Sequence, residues 1–416
     1  MRVLLVGTGG REHALAVALA HDSKVETLIC APGNPGMAAC GELRDVDMGD
    51  PDAIAALAVE VEADLVVVGP EAPLVAGAAD AVRAKGIACY GPSAKAAAIE
   101  GSKTFAKEIM AAAGVPTAKA HTCHTAAEAE AALDEFGPPY VVKDDALAAG
   151  KGVVVTSDRD EALAHAAACD TVVIEEFLDG PEVSLFVVTD GTTAVPLLPA
   201  QDFKRVGEDD AGPNTGGMGA YTPLPWAPDD LVDTIMTTVA EPTLAELAKR
   251  ETPFVGTLYC GLALTSKGPK VIEFNCRFGD PEIQAVLALL DAPLSGLLDA
   301  AARGKLAEYP KPQWRDGAAV CVVLASEGYP EKPVTGKPIT GADMPGVLHA
   351  GTALDADGQL VSSGGRVLNV VAPGATLNQA RRRAYALAAG VELPDARIRR
   401  DIALAASEDR IVAPGA

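Results

Sequence analysis

The sequence has few aromatic residues and no paired-cysteine motif. Aromatic side chains make up 4% of the 416 residues, so the cores must be packed mainly with alanine, valine and leucine. The eight cysteines are scattered without a C-x-x-C pair, a pattern that favours free thiols in a reducing compartment over a disulfide framework. His121, Cys123 and His124 lie close together, but no second ligand pair accompanies them, so a polar loop is a better interpretation than a zinc site.

Long apolar runs are also missing. No stretch approaches the roughly 18 consecutive apolar residues that a membrane-spanning helix needs, and a single Arg precedes the first strand. We therefore expect a cytoplasmic protein without membrane contact. Hydrophobic residues at 49% and charged residues at 22% are typical of a globular enzyme, and a chain of this length predicts about two to four domains.

Basic residues are scarce relative to acidic ones. There are 34 Lys and Arg against 57 Asp and Glu, which gives a formal net charge of −23. Binding to nucleic acid needs a basic surface, so we expect no nucleic-acid partner. An anionic small molecule remains compatible, because several basic side chains lie in or beside glycine-flanked segments. They are Arg11, Lys103, Lys143, Lys151, Lys204, Arg205 and Arg277.

A dinucleotide-binding fingerprint is absent near the amino terminus. A buried strand leads into Gly7-Thr-Gly-Gly-Arg-Glu-His13 and then a helix, which is the opening of a doubly wound fold whose helix amides face an anion. The third Gly of the fingerprint would fall at Glu12, and no acidic residue closes the second strand, so NAD binding is excluded. We expect a mononucleotide-sized phosphate at Gly9, Gly10 and Arg11.

The segment Lys270 to Glu282 is unusual for a core strand. Its first half alternates, so Val271, Glu273 and Asn275 are expected on one face and the intervening residues on the other. A carboxylate and an amide oxygen side by side suit Mg²⁺, which takes oxygen ligands from few protein groups plus substrate phosphates. An edge strand with a wet polar face is the alternative.

A second glycine-rich segment lies between two valine-rich strands. The small-residue loop from Ala146 to Gly152 carries Lys151, and Lys143 lies at the end of the preceding strand. Backbone amides of such a loop can wrap phosphate oxygens. An ordinary hairpin is the alternative interpretation.

Three further segments have the character of ligand sites. The strand from Thr171 to Leu178 turns polar at its end, where exposed backbone can contact an adenine edge, and the carboxylate of Glu182 suits ribose hydroxyls. Residues 201–221 are glycine-rich and charged, and we expect a long loop without regular structure that approaches a ligand closely. In the tail, Ser362-Ser-Gly-Gly-Arg366 is the only segment that resembles a ligand-binding loop.

Eight segments in order resemble a known family from end to end. Together they resemble the phosphoribosylamine–glycine ligases, a family of ATP-grasp enzymes of purine biosynthesis. The segments are Gly7-Thr-Gly-Gly-Arg-Glu-His13, Pro32-Gly-Asn-Pro-Gly36, Gly69-Pro-Glu-Ala-Pro-Leu74, Glu100-Gly-Ser-Lys103, Leu147-Ala-Ala-Gly-Lys-Gly152, Gly180-Pro-Glu-Val-Ser184, Gly212-Pro-Asn-Thr-Gly-Gly-Met-Gly-Ala-Tyr221 and Ile272-Glu-Phe-Asn-Cys-Arg-Phe-Gly-Asp-Pro-Glu282.

The resemblance implies a multidomain α/β and α+β fold. A doubly wound, Rossmann-like substrate domain is expected at residues 1–100, and an ATP-grasp core of two subdomains at 101–304, with its lid subdomain at about 118–187. A linker at 305–316 leads to a small α+β domain at 317–416.

The resemblance also implies ATP and Mg²⁺ (or Mn²⁺) as cofactors. The implied ATP-binding residues are Lys103, Lys143, Ala149, Gly150, Lys151, Gly152, Glu175, Glu176, Phe177, Leu178, Glu182 and Asn275. The implied metal ligands are Glu273 and Asn275. The implied substrate-binding residues are Gly9, Gly10, Arg11, Glu12, Asn34, Asn214, Thr215, Gly217 and Arg277, and the implied catalytic residues are Arg277 and Lys143.

The implied reaction joins two small molecules, glycine and 5-phosphoribosylamine, in a monomeric enzyme. ATP phosphorylates the glycine carboxylate, and the amine then attacks the glycyl phosphate to give glycinamide ribonucleotide, ADP and phosphate. Phosphoryl transfer relies on positioning and charge neutralisation, which matches a chain without a Ser/His/Asp or Cys/His constellation. Arg277 would hold the glycine carboxylate or the acyl phosphate through a bidentate fork.

Two departures from the family pattern and two alternatives stay open. The chain has Asp144-Asp145-Ala146 where the family has Ala-Asp-Gly, and Phe203 where the family has His. One alternative is another ATP-grasp carboxylate–amine ligase that acts on a different acid or amine. The other is a non-catalytic nucleotide-binding regulator, against which the lysines and the Glu273–Asn275 pair argue.

Overall fold

The structure, a computed structural model, describes residues 1–145 and 152–412, and it opens with a five-stranded parallel sheet. This N-terminal sheet has near-continuous apolar strands because helices cover both of its faces. The predicted doubly wound domain is therefore confirmed. In spatial order its strands are Glu42–Leu43, Thr27–Pro32, Arg2–Gly7, Leu65–Val68 and Ala88–Tyr90.

The second sheet, called the lid sheet below, is antiparallel. Its two valine-rich strands pair as a hairpin, with Lys143 opposite Val153. The loop that joins them, with Ala149, Gly150 and Lys151, lies outside the described residues. In spatial order the strands are Ala120–Cys123, Val172–Glu175, Tyr140–Asp144 and Val153–Thr156.

The third sheet, the central sheet, contains an antiparallel hairpin of Val255–Thr265 and Gly268–Asn275. Its other strands are Ala194–Pro196 and Glu182–Asp190. Because Glu182–Asp190 pairs along its length with Val255–Thr265, the predicted lid boundary near residue 187 falls inside a strand of the central sheet. The other predicted domain boundaries stay predictions.

The fourth sheet, the C-terminal sheet, corrects the prediction of a long irregular loop at residues 201–221. Both ends of that segment form strands, and the second carries it into the sheet of the chain's last third. Ala220 and Tyr221 of the second strand are fully buried. Removing their apolar surface from water favours the packing of this strand into the sheet. In spatial order the strands are Gln201–Asp202, Gly219–Thr222, Ala318–Ala325, Arg366–Gly374 and Val347–His349.

Helices cover these sheets, and a small two-stranded ribbon pairs Thr352–Leu354 with Leu360–Ser362. Two separate helices follow the central sheet, Glu282–Ala288 and Leu294–Ala302, and Pro293 is the N-cap of the second. No helix in the described ranges is long and apolar enough to cross a membrane. The α-helices are Gly10–Ala20, Pro51–Glu60, Glu71–Ala76, Ala78–Ala84, Ala94–Gly101, Lys103–Ala113, Ala126–Phe136, Arg159–Ala167, Leu231–Ile235, Glu241–Lys249, Glu282–Ala288, Leu294–Ala302, Leu377–Ala388 and Leu404–Ser407, with a π-helical turn at Met236–Ala240 and 3₁₀ turns at Pro35–Ala39, Glu208–Asp210 and Leu306–Glu308.

One apolar cluster is continuous across three of the sheets. It contains Leu4 of the N-terminal sheet, Leu258 of the central sheet and Val322 of the C-terminal sheet, all fully buried. The lid sheet has a separate cluster that includes Val142 and Ile174. The three sheets therefore share a core, and the lid packs as a unit of its own.

Replacing Phe254 with Ala tests this shared core. The fully buried ring belongs to the large cluster, so Phe254→Ala should lower the free energy of unfolding by about 3–5 kcal/mol through lost burial and a residual cavity. The matched control is Phe177→Ala, whose side chain is 50% exposed and whose loss should cost under about 0.5 kcal/mol. Denaturant unfolding followed by circular dichroism measures both, and equal effects would contradict the placement of Phe254.

Candidate active site

A cavity of about 370 Å³ lies where all four sheets meet. This volume is in the range of small-molecule sites. Its wall brings together residues that are hundreds of positions apart, such as Arg11, Lys143, Glu273 and Arg366. The predicted site residues in the wall are Gly9, Arg11, Glu12, Lys103, Lys143, Gly152, Glu175, Thr215, Glu273, Asn275 and Arg277.

Other predicted site residues among those described are not part of this wall. The side chain of Asn34 is hydrogen-bonded within the protein: its Nδ2 donates to the carbonyl oxygens of Thr8 (2.8 Å) and His349 (3.0 Å), and its Oδ1 accepts from the amide of Met37. The residues outside the wall are Gly10, Asn34, Glu176, Phe177, Leu178, Glu182, Asn214 and Gly217.

A β-bulge at Ile272 corrects the predicted faces of the strand that ends at Asn275. Glu273 pairs with Gly261, but Val271 pairs with Leu262, so Ile272 is an extra residue on its strand. Because neighbouring residues of the partner strand point to opposite faces, Val271 and Glu273 do too. Val271 is buried in the core, and Glu273 and Asn275 share the face that lines the cavity.

Glu273 and Asn275 form an oxygen pair suited to a hard cation. The Asn275 amide is assigned with Nδ2 toward Glu100 Oε1 (3.1 Å) and the Phe274 carbonyl oxygen (3.2 Å), because the reverse assignment would face its oxygen with two acceptors. Its Oδ1 is thereby left as an acceptor. In the described part of the chain no three His, Cys, Asp or Glu side chains are grouped to hold a metal. A site with two protein oxygens therefore fits Mg²⁺ that is completed by phosphates.

The carboxylate of Glu175 is the counter-ion of two lysines, and the predicted adenine contact at this strand end stays a prediction. Its Oε1 and Oε2 each lie 2.7 Å from a lysine nitrogen, that of Lys107 and that of Lys143. Burial alone would raise the pKa of Glu175, but Lys143 and Lys107 outweigh burial and lower it. Burial and the nearby Lys143 lower the pKa of Lys103, against the attraction of Glu273. The lysines predicted to bind phosphate thus face the metal-binding pair.

Arg277 is fully engaged by protein groups. Its Nε lies 3.0 Å from Glu71 Oε2, its Nη2 lies 2.7 Å from Glu100 Oε1, and its Nη1 donates to the Phe278 carbonyl at 3.3 Å. Against the effect of burial, Arg277 and Arg11 lower the pKa of Glu71 to about 2. A role for Arg277 in holding a glycine carboxylate therefore requires that a protein carboxylate give way, and it stays a prediction.

Carboxylates already cap the N-terminal loop. The Gly9 amide donates to Glu12 Oε2 at 2.7 Å, and the Arg11 amide donates to Asp280 Oδ2 at 3.0 Å. Glu12 also accepts from Arg11 Nε at 2.5 Å. The amides that we expected to face a phosphate are occupied by the protein's own anions, so a phosphate here must compete with Asp280.

Lys204, Glu182 and Asp202 form a charged cluster that the sequence did not predict. Lys204 Nζ lies 2.5 Å from Glu182 Oε2 and 3.2 Å from Asp202 Oδ1. Burial raises the pKa of Asp202 to about 7; Lys204 opposes this, while Glu282 and Glu182 add to it. Phe203, the departure between them, packs under the Arg399 guanidinium at 4.9 Å, so it lies on the opposite side of its strand from this group.

The wall contains further charged residues that the prediction did not include. Glu71 and Glu100 lie within the segments that carry the family resemblance, and Lys107 follows Lys103 by one helical turn. Arg366 ends the segment with ligand-loop character in the tail. Asp280 and Glu282 follow the strand that carries Glu273. The sequence alone does not show whether such a carboxylate caps a helix or binds a ligand. The missed residues are Glu71, Glu100, Lys107, Asp202, Lys204, Asp280, Glu282 and Arg366.

A cavity between two antiparallel sheets, with lysines opposite an oxygen pair, defines an ATP-grasp protein. Models of phosphoribosylglycinamide synthetase match the chain in three parts: the N domain at residues 1–100, the ATP-grasp (A) domain at 101–283 and the C domain at 319–405. The chain belongs to the phosphoribosylglycinamide synthetase family. ATP-grasp proteins in general bind ATP with Mg²⁺ or Mn²⁺.

Individual relatives agree with this family. A phosphoribosylamine–glycine ligase of Mycobacterium bovis is 59% identical over 420 residues, which cover 99% of this chain and 100% of the relative. That of Streptomyces coelicolor is 59% identical over 415 residues, or 98% and 100% of the two chains. The crystal structure of the Thermotoga maritima phosphoribosylamine–glycine ligase matches with a TM-score of 0.84 at 33% identity, over 97% of this chain and 100% of that one. The predicted family, fold class and ligase class are confirmed.

Because the pKa of Asp202 is raised, the substitution Asp202→Asn should change how the free energy of unfolding depends on pH. Because folding raises the pKa from 3.8 to about 7, the stability linked to this group is fully present below about pH 3.8 and is lost as the pH rises to about 7. The wild type should therefore lose free energy of unfolding relative to the variant across that window, and the difference should be constant above about pH 8. Denaturant titrations at several pH values measure it. A difference that does not vary with pH would contradict the burial of an ionisable Asp202.

Proposed function

We propose that the chain is an ATP-dependent ligase that joins glycine to 5-phosphoribosylamine and thereby acts in purine biosynthesis. The observation that supports this function is that the Glu273–Asn275 pair, Lys103 and Lys143 line one cavity. Gly9 and Arg11 of the N-terminal loop lie in the same wall. Nucleotide phosphates and a second, phosphate-bearing substrate can therefore meet in one space.

The reaction proceeds through glycyl phosphate. An oxygen of the glycine carboxylate attacks the γ-phosphorus of ATP and ADP leaves; the amine of 5-phosphoribosylamine then attacks the carbonyl carbon, and phosphate leaves with that oxygen. Lys103 and Lys143 bind the phosphate oxygens and neutralise charge that moves during transfer. Glu273 and Asn275 would hold Mg²⁺ or Mn²⁺, which supplies further neutralisation of the transferred phosphoryl group.

The substrate assignments rest on the regions outside the ATP half. Thr215 lies in the wall, and its Oγ1 donates to the Lys204 carbonyl at 2.8 Å and accepts from the Gly217 amide at 2.9 Å, an arrangement that holds Asn214 to Gly217 in a fixed turn beside the cavity. The part of the cavity beside this turn suits an amino acid as small as glycine. Another ATP-grasp carboxylate–amine ligase is the second candidate. The cytoplasmic location and the monomeric state stay predictions.

Release of phosphate under controlled substrate supply tests the function. The purified protein should release phosphate from ATP only when glycine and 5-phosphoribosylamine are both present, since the acyl phosphate turns over only when an amine accepts it. A coupled phosphate assay measures this, with alanine and serine in place of glycine as controls. Equal release with those amino acids would exclude the glycine assignment.

Glu273→Gln tests the metal-binding pair. The amide keeps the shape of the side chain but removes its charge, so turnover should fall by about 10²- to 10³-fold or more, and higher Mg²⁺ should restore part of it. Circular dichroism should show an unchanged fold. The exposed Glu331→Gln serves as the matched control, and near-normal turnover of the Glu273 variant would show that this carboxylate holds no metal.

A further inference from the structure

A β-bulge in the C-terminal sheet turns two polar residues toward the N-terminal loop. Arg366 pairs with Ala325 and Leu368 pairs with Leu324, so one residue between them is extra. Without it, Arg366 and Asn369 would point to opposite faces of their strand; with it, they share one face. Asn369 is then so close to Gly10 that a Cβ on that glycine would lie 1.8 Å from Asn369 Nδ2.

The described residues use only one edge of the Arg366 guanidinium. Its Nη1 donates to the carbonyl oxygens of Gly216 and Asp280, both at 2.5 Å, and lies 3.3 Å from Asp280 Oδ1. Its Nε and Nη2 make no hydrogen bond with the described residues. The group is therefore held in a fixed orientation with two donors left over, a fork that matches a phosphate or carboxylate.

The other arginines of the cavity wall use more of their guanidinium nitrogens within the protein. Arg277 uses all three of its guanidinium nitrogens on Glu71, Glu100 and a carbonyl. Arg11 uses two, on Glu12 and a carbonyl. Among the arginines of the described wall, only Arg366 keeps both Nε and Nη2, the two nitrogens of one fork, without a hydrogen bond to a described residue.

Buried polar atoms without partners lie beside this arginine. Asn369 is fully buried, and neither its Nδ2 nor its Oδ1 has a hydrogen-bond partner in the described structure; the same holds for Oε1 of buried Gln284. Both side chains surround Gly10. Leaving such groups unpaired is unfavourable, so these amides are suited to hydrogen-bond water or ligand oxygens.

We propose that Arg366 binds the phosphate of the sugar-phosphate substrate and of the product, with the Gly9–Arg11 loop beside it and the Asn369 and Gln284 amides behind that loop, against Gly10. This inference rests on the proposed function. The position distinguishes the phosphate from the glycine carboxylate: Asp280 links Arg366 to the Arg11 amide, whereas glycine must lie within reach of the phosphoryl group held near Glu273. The C-terminal domain thus supplies a substrate-binding residue.

Comparing a ligand with and without its phosphate tests the assignment. Titration calorimetry measures the affinity of glycinamide ribonucleotide and of the corresponding riboside for the wild type, Arg366→Met and Arg366→Lys. Arg366→Met should weaken the ribonucleotide by about 10- to 100-fold, the effect of one charge-assisted fork, and the riboside by less than about 2-fold. Arg366→Lys, a point charge without the fork, should lose part of the preference. Exposed Arg315→Met is the control.

Three outcomes would overturn the assignment. Equal weakening of both ligands would make Arg366 a positioning residue for the 216–217 turn, and an intact preference with a raised glycine KM would make it a carboxylate site. If Arg366→Met does not fold, an unchanged preference in Arg366→Lys counts against it. Loss of the proposed function itself would appear separately, as a wild-type enzyme that forms no glycinamide ribonucleotide.

Discussion

The guanidinium of Arg277 is the interaction on which the rest of the site depends. It binds Glu71 at the start of a helix of the N-terminal domain and Glu100 at the end of another helix, and its own backbone continues the strand that carries Glu273 and Asn275. Glu100 in turn accepts from the Cys276 amide at 2.7 Å and orients the Asn275 amide. Removing one partner of such a buried group typically costs about 3–5 kcal/mol, so the orientation of the proposed metal ligands is coupled to the packing of the domains.

Two β-bulges set which side chains reach the cavity. The bulge at Ile272 separates Val271, which belongs to the core, from Glu273, which belongs to the site. The bulge near Arg366 brings an arginine and an asparagine of the C-terminal sheet to one face. In each strand a single extra residue changes the face of everything beyond it. The chemistry of the cavity therefore depends on register as much as on composition.

Much of this fold could be predicted from the sequence, and the limits have physical reasons. Buried parallel strands are nearly uniform in apolar residues, so the N-terminal sheet was recognisable, and alternation made the strand that carries Glu273 recognisable too. The bulge at Ile272 was not, because an extra residue shows only against a partner strand. Counter-ions were also missed: Glu71 and Arg277 are about two hundred positions apart, and nothing local in either segment indicates the pair. Asn34 shows the converse, since its motif was visible in the sequence but the hydrogen bonds of its side chain within the protein were not.

The central claim is that one cavity carries phosphate from ATP to the glycine carboxylate before the amide forms. Glycine labelled with ¹⁸O in its carboxylate tests this directly, because the oxygen that attacks ATP must leave with the phosphate. Mass spectrometry of the released phosphate should show one ¹⁸O for each molecule of glycinamide ribonucleotide formed. Phosphate without the label would contradict the account, since it would mean that water, and not glycine, accepts the phosphoryl group.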